Sequence, residues 1–302
     1  MNQIAQTSHE VRASSLVRTA KGKNPYRKYM IQFLVTTFGL CWGVCLLYIF
    51  FEPAMTAIFG ELTLTNPLVI LGLNFPSVMG LAIYCMYGGV GGLKKYLLTL
   101  VPKRKDLIWF PIIIIAMVLF VISVRLISML FGIPVPEITN TPMQSMMIFL
   151  RNFYEEIGML GIMFGFFGFL LPYFQRSFHS KVKAGLLTGF LLGLFVAPGY
   201  VFSSFEAATS FPFYLVQMMA LSVCVSYVLN DTRGNVLFFL LTFWIVATGS
   251  KVQLYNFVPS VQIIQISLFL ILWVVLHIVF SKRDMQKLPQ ERLCFFPEFI
   301  EA

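Results

Sequence analysis

Two adjacent carboxylates, Glu155 and Glu156, stand in an apolar run that extends from Met146 to Leu170. A carboxylate held in hydrocarbon costs about 3 kcal/mol or more, so such a group is paired, neutralised or functional. The chemistry open to it is water activation: a base with a raised pKa takes a proton from water, and donors or a metal stabilise the oxyanion that follows. Neighbouring helical residues diverge by about 100°, so the two glutamates splay apart, and carboxylates alone make a weak metal site. Arg151 lies four residues before Glu155 and suits an ion pair with it. Asn152, Tyr154 and Ser203 are the nearest other polar groups by sequence or assumed depth. The three histidines, His9, His179 and His277, fall in the N-terminal tail, a loop and the inner end of the last apolar run. Glu155 and Glu156 are therefore the catalytic candidates, with no metal and no cofactor expected. A competing reading makes the pair structural, with Glu155 held by Arg151 at the outer end of a helix bundle. If the span starts nearer residue 155 than residue 147, both carboxylates are merely interfacial.

The elements that must position this pair follow from hydropathy. The chain is 58% hydrophobic and only 12% charged, about half the charge share of a typical soluble domain. Apolar runs occur at 29–51, 66–87, 107–131, 147–171, 183–202, 212–229, 235–250 and 260–280. A span needs roughly 20 such residues, so the expected fold is an all-α polytopic membrane bundle of about eight helices, the seventh the shortest. Basic residues alternate with the loops. The leading tail carries six Lys or Arg from Arg12 to Lys28; the second loop carries Lys94, Lys95 and Lys103–Lys105; the fourth carries Arg176, Lys181 and Lys183; the sixth carries Arg233. The odd-numbered loops hold only Lys251. Positive residues stay inside, which predicts cytoplasmic termini: a basic, disordered tail at 1–28, a membrane domain at 29–280 and a second tail at 281–302. The first run exceeds a signal-peptide core and reads as a retained span.

The net charge of +9 is accounted for by this topology and by attraction to anionic lipid. The expected partner is the lipid bilayer, with no nucleic acid. Cys41, Cys45, Cys85 and Cys224 lie in apolar runs without metal-ligand spacing and read as small buried hydrophobes, and Cys294 lies in the C-terminal tail. Residues 88–92 are a glycine-rich break, followed by an amphipathic segment at 91–101 with Leu93, Tyr96, Leu97 and Leu100 on one face, the pattern of a helix in the headgroup layer. In the fourth run Tyr154, Gly158, Gly161, Gly165 and Gly168 form a small-residue stripe for close helix contact.

Four regions together resemble the CAAX-protease and bacteriocin-processing (Abi) family of membrane proteins. These are the opening span 29–43, the segment Val101-Pro-Lys-Arg-Lys-Asp-Leu-Ile-Trp109, the stretch Glu155-Glu156-Ile-Gly-Met-Leu-Gly161, and residues 212–237 with the Thr232-Arg-Gly turn. The resemblance covers roughly residues 29–250. It implies that the glutamates activate water while an Arg, two His and an Asn complete the site. Here those motif positions are Leu160, Gly199, Phe243 and Ala247. Losing one oxyanion donor typically costs about 10²–10³ in rate, so the resemblance implies the scaffold with its chemistry degraded. The leading expectation is a protein that binds membrane-embedded peptides or protein partners, as in bacteriocin self-immunity, in the bacterial cytoplasmic membrane. The alternatives are an active intramembrane endopeptidase using Glu155 and Glu156, and a small transporter or lipid-handling protein. In the first two, the fourth, fifth and seventh spans meet around Glu155, Gly199 and Phe243.

Overall fold

A computed structural model describes residues 27–63, 66–155, 157–200 and 210–284. The tails, Glu156 and Ser203 lie outside these residues, as do the side chains of Tyr87, Glu155, Ile157 and 281–284. Among the described residues all regular structure is helical: α1 (Arg27–Phe59), α2 (Pro67–Leu98), α3 (Trp109–Leu130), α4 (Pro142–Glu155), α5 (Ile157–Ile162), a π-helix (Met163–Leu170), α6 (Leu171–Phe178), α7 (Lys181–Val196), a 3₁₀ turn (Ala197–Tyr200), α8 (Phe211–Asp231), α9 (Leu237–Lys251) and α10 (Pro259–Asp284).

Among the described residues seven helical segments are long and apolar enough to cross a membrane, and the chain is an all-α integral membrane protein. The seventh apolar run becomes α9, whose 15 residues rise about 22 Å, short of the roughly 30 Å hydrocarbon core. Two long helices bend for identifiable reasons. α1 breaks at Phe51 (φ −131°, ψ 34°), just before Pro53, which lacks a backbone donor and crowds the carbonyl four residues back. α2 turns at Gly89 (φ 61°, ψ −166°) and then resumes to Leu98. The glycine break therefore separates the membrane-length helix Pro67–Met86 from a second helical segment, and that segment is held by the bundle. Tyr96 is fully buried and stacks on Tyr84 at 4.1 Å, with Leu93 and Leu100 also turned inward, while Leu97 joins Lys94 and Lys95 on the exposed side. Burial raises the Tyr96 phenol pKa.

The loops gather at two ends. At one, Arg233 pairs with Asp106, the Trp109 Nε1–H donates to Asp231 at 3.0 Å, Asn235 Nδ2 donates to the Leu100 carbonyl, and the Ser226 hydroxyl donates to the Lys181 carbonyl. These contacts collect the even-numbered, basic loops. At the other end Arg125 Nη1 donates to the carbonyls of Pro136, Gln253 and Leu254, and Gln253 Oε1 accepts from the Thr139 backbone and hydroxyl. The basic alternation in the sequence thus corresponds to a spatial separation.

Between the ends, helices meet at small residues. A Cβ built on Gly185 would lie 2.6 Å from the Val223 Cα, and one on Gly189 2.5 Å from the Met219 Cα, so α7 and α8 touch backbone to backbone.

Candidate functional site

The fourth apolar run is not α-helical throughout, because Met163–Leu170 is a π-helix. Among the described residues helix lies on both sides of Glu156, as α4 up to Glu155 and α5 from Ile157, and Gly158–Phe178 is long and apolar enough to cross a membrane, with most of its residues buried inside the protein. Glu155 is described only through its backbone at the end of α4, so its pairing with Arg151 lies outside the described side chains.

The π-helix has a visible cause on α2. The Ser77 hydroxyl donates to the Leu160 carbonyl at 2.5 Å and accepts from the Phe164 N–H at 3.0 Å. These are the two groups that an α-helix would join directly, four residues apart. A side chain inserted into the ladder opens it, and the wider turn begins at Met163. The glycine stripe makes the approach possible. Built Cβ atoms on Gly161 and Gly165 would overlap the backbone of Leu73 and Pro76, while Gly80 of α2 presses on Phe164 and Gly165. The stripe's partner is the second span. Gly158 has no described atom within 4 Å of a built Cβ, and Tyr154 is exposed.

α4 has three faces. At about 100° per residue, Phe149, Asn152 and Phe153 point toward the bundle. Met143, Met146, Met147, Leu150 and Tyr154 form an exposed apolar stripe, and Gln144, Arg151 and the Glu155 position form a polar line between the two. The inward face rests on α9. Trp244 stacks on Phe149 at 4.2 Å, meets Phe153 edge-on at 5.1 Å and donates its indole N–H to the Phe149 carbonyl at 3.0 Å. Asn152, fully buried, donates through Nδ2 to the Thr248 hydroxyl at 2.8 Å, and its Oδ1 has no partner among the described residues.

The fourth, fifth and seventh spans do touch: Phe166 meets Phe195 at 5.5 Å, and Phe167 stacks on Phe239 at 3.9 Å. The motif positions are dispersed around this aromatic contact. Phe243 is half-buried against Phe239 at 5.7 Å, and Ala247 is half-buried one residue before Thr248. The Leu160 side chain is exposed, so that position presents nothing to the α4–α9 contact. Gly199 lies in the 3₁₀ turn after α7, and a Cβ there would meet no described atom within 4 Å. His179 is an exposed, left-handed residue at the end of α6, and His277 hydrogen-bonds the Tyr227 hydroxyl at 2.9 Å near the basic end. Among the described residues no three His, Cys, Asp or Glu side chains converge.

Sequence reasoning passed over three features. Arg125 is a lone cation within an apolar run, a pattern that signals an intramembrane role; here it ties two loops together. Gln217 and Gln265, both buried, join α8 to α10 at 3.0 Å, and nearby Gln262 accepts from the Ser210 N–H. Ser77 is the third. Tyr255, whose burial raises its pKa, stays a neutral donor to the Val246 carbonyl. A cavity of about 60 Å³ lies among α3, α8, α9 and α10 and is almost wholly apolar. No protein-family model matches the chain, and no curated protein is significantly similar to it.

Proposed function

We propose that the chain is a CAAX-protease-like protein of the bacterial cytoplasmic membrane, with both termini in the cytoplasm, that binds a membrane-embedded peptide or protein partner without cleaving it. Bacteriocin self-immunity is the role that fits such binding. The observation that carries the reading is the contact between α4 and α9. Phe243 and Ala247 stand where the resemblance implies His and Asn; Phe243 meets Phe239, and the next residue, Trp244, packs on Phe149 and Phe153. None of these aromatic rings supplies an oxyanion donor beside a carboxylate, because the one indole N–H is already given to Phe149. Meanwhile α4 presents a methionine-rich apolar stripe beside the exposed polar side chains of Gln144 and Arg151. Methionine is unbranched and polarizable and adapts to varied apolar surfaces, which suits a face for an amphipathic membrane peptide.

The test challenges sensitive bacteria expressing the protein with a cationic, helical membrane-active bacteriocin. A photo-crosslinking residue is placed at Met147 on the stripe or at Val275 on α10. Survival, recovery of the peptide at its full mass and a crosslink at residue 147 alone support the proposal. Cleaved peptide would replace it with the endopeptidase reading. Absence of both protection and crosslink would remove the peptide as partner.

A further inference from the structure

We infer that the α2 segment beyond Gly89 docks on the anionic-lipid headgroup layer at the basic end of the bundle, through a face that the protein leaves uncovered. Past the break at Gly89 the helix resumes to Leu98. At about 100° per residue, Val90, Lys94, Leu97 and Leu98 share one stripe, and all four are exposed. Leu93 and Tyr96 point about a third of a turn away and are spent on the bundle, where Tyr96 stacks on Tyr84. The chain then continues through exposed Val101 to exposed Leu107 and Ile108. The uncovered face is therefore not the one outlined by the sequence pattern, which joins Leu97 to the buried Tyr96. Because the inward stripe is packed, the outward one is held in place before any partner arrives.

Charge names the partner. Lys94, Lys95, Lys103, Arg104 and Lys105 are all exposed, and no carboxylate stands between Glu61 and Asp106. Asp106 itself is buried against Arg233. Asp231, which accepts from the Trp109 indole, sets one further negative charge at this end against the five cations. Apolar side chains interleaved with lysines in one short segment suit the boundary between headgroups and acyl chains. Leu97 and Leu98 enter the apolar side, while the lysine stems lie along it and their ammonium groups reach the phosphates. Anionic headgroups supply the opposite charge that a zwitterionic surface lacks. An acidic soluble protein would match the lysines alone, whereas the lipid boundary also takes the apolar stripe.

The full chain is placed in phosphatidylcholine nanodiscs with a fluorescent non-natural residue at Leu98 or, as a control for insertion, at the exposed Leu270 of α10. A small fraction of the lipid is replaced by phosphatidylglycerol or phosphatidylcholine brominated along the acyl chain, and quenching is read. At residue 98 the phosphatidylglycerol should quench more than the phosphatidylcholine; at residue 270 the two should match. K94A/K95A changes only exposed side chains and should lower the preference at residue 98 by about fivefold or more, the factor set by about 1 kcal/mol per cation, while leaving residue 270 unchanged. Equal quenching by the two lipids at residue 98, or a preference unmoved by K94A/K95A, would overturn the assignment. Quenching at residue 270 with none at residue 98 would show that protein, such as a second copy of the chain, covers the stripe, and would overturn it as well.

Discussion

Replacing Ser77 with alanine removes one hydroxyl from α2 and should destabilise a different helix. In the native protein that hydroxyl satisfies both the Leu160 carbonyl and the Phe164 N–H. Without it two main-chain groups lose their partner at a helix contact shielded from water. Leaving a buried polar group unsatisfied costs about 1–3 kcal/mol, so the pair gives an expected loss of about 2–4 kcal/mol after partial relaxation. The ladder cannot simply reclose. Closing it would turn Phe166, Phe167, Phe169 and Leu170, all fully buried, off partners that include Phe33, Phe195 and Phe239. The measurement is reversible unfolding of wild type and S77A in mixed micelles by titration with a denaturing detergent. T36A is the control: among the described residues Thr36 bonds only to carbonyls of its own helix, at Gln32 and Phe33, and its loss should be small. Interhelical hydrogen bonds in membranes average about 0.6 kcal/mol. A loss for S77A at or below that figure would refute the wedge as the support of the π-helix.

Three further outcomes follow from the same contacts. G161A places a Cβ 2.7 Å from the Leu73 carbonyl carbon and 2.9 Å from the Asn74 Cα; it should cost about 1–3 kcal/mol in the same unfolding assay, whereas G158A should be neutral or slightly stabilising. R125A removes the donor to three carbonyls and should speed hydrogen exchange across residues 133–141 and 252–256 while sparing α7 and α8. N152L deletes a buried acceptor that has no partner among the described residues, and because Thr248 still donates to the Trp244 carbonyl, stability should shift by less than about 1 kcal/mol; a larger loss would show that Asn152 Oδ1 is satisfied in the folded protein.

The sequence made the bundle legible because burial in lipid writes long apolar runs, and the basic loops proved to share one end of the molecule. Gly161 and Gly165 also announced a close helix contact, though not its partner. The π-helix in the fourth run was hidden, because hydropathy averages cannot register Ser77, a small residue more than 80 positions earlier, opening a ladder from another helix. Arg125 was readable as a charge in an apolar run, yet its loop-tying role depends on carbonyls contributed by two distant turns. The resemblance located Leu160, Gly199, Phe243 and Ala247 along the chain, while only three-dimensional packing separates the exposed Leu160 from the aromatic surround of Phe243.

The central claim is that this scaffold binds without cleaving, and direct proteolysis tests it. The purified chain in phosphatidylglycerol-containing proteoliposomes is incubated with a prenylated CAAX peptide and with a membrane-spanning peptide, alongside E155Q and E156Q, and products are resolved by mass. The account predicts no product above the protein-free rate for wild type or either variant. Robust turnover by wild type that either glutamine substitution abolishes would contradict it.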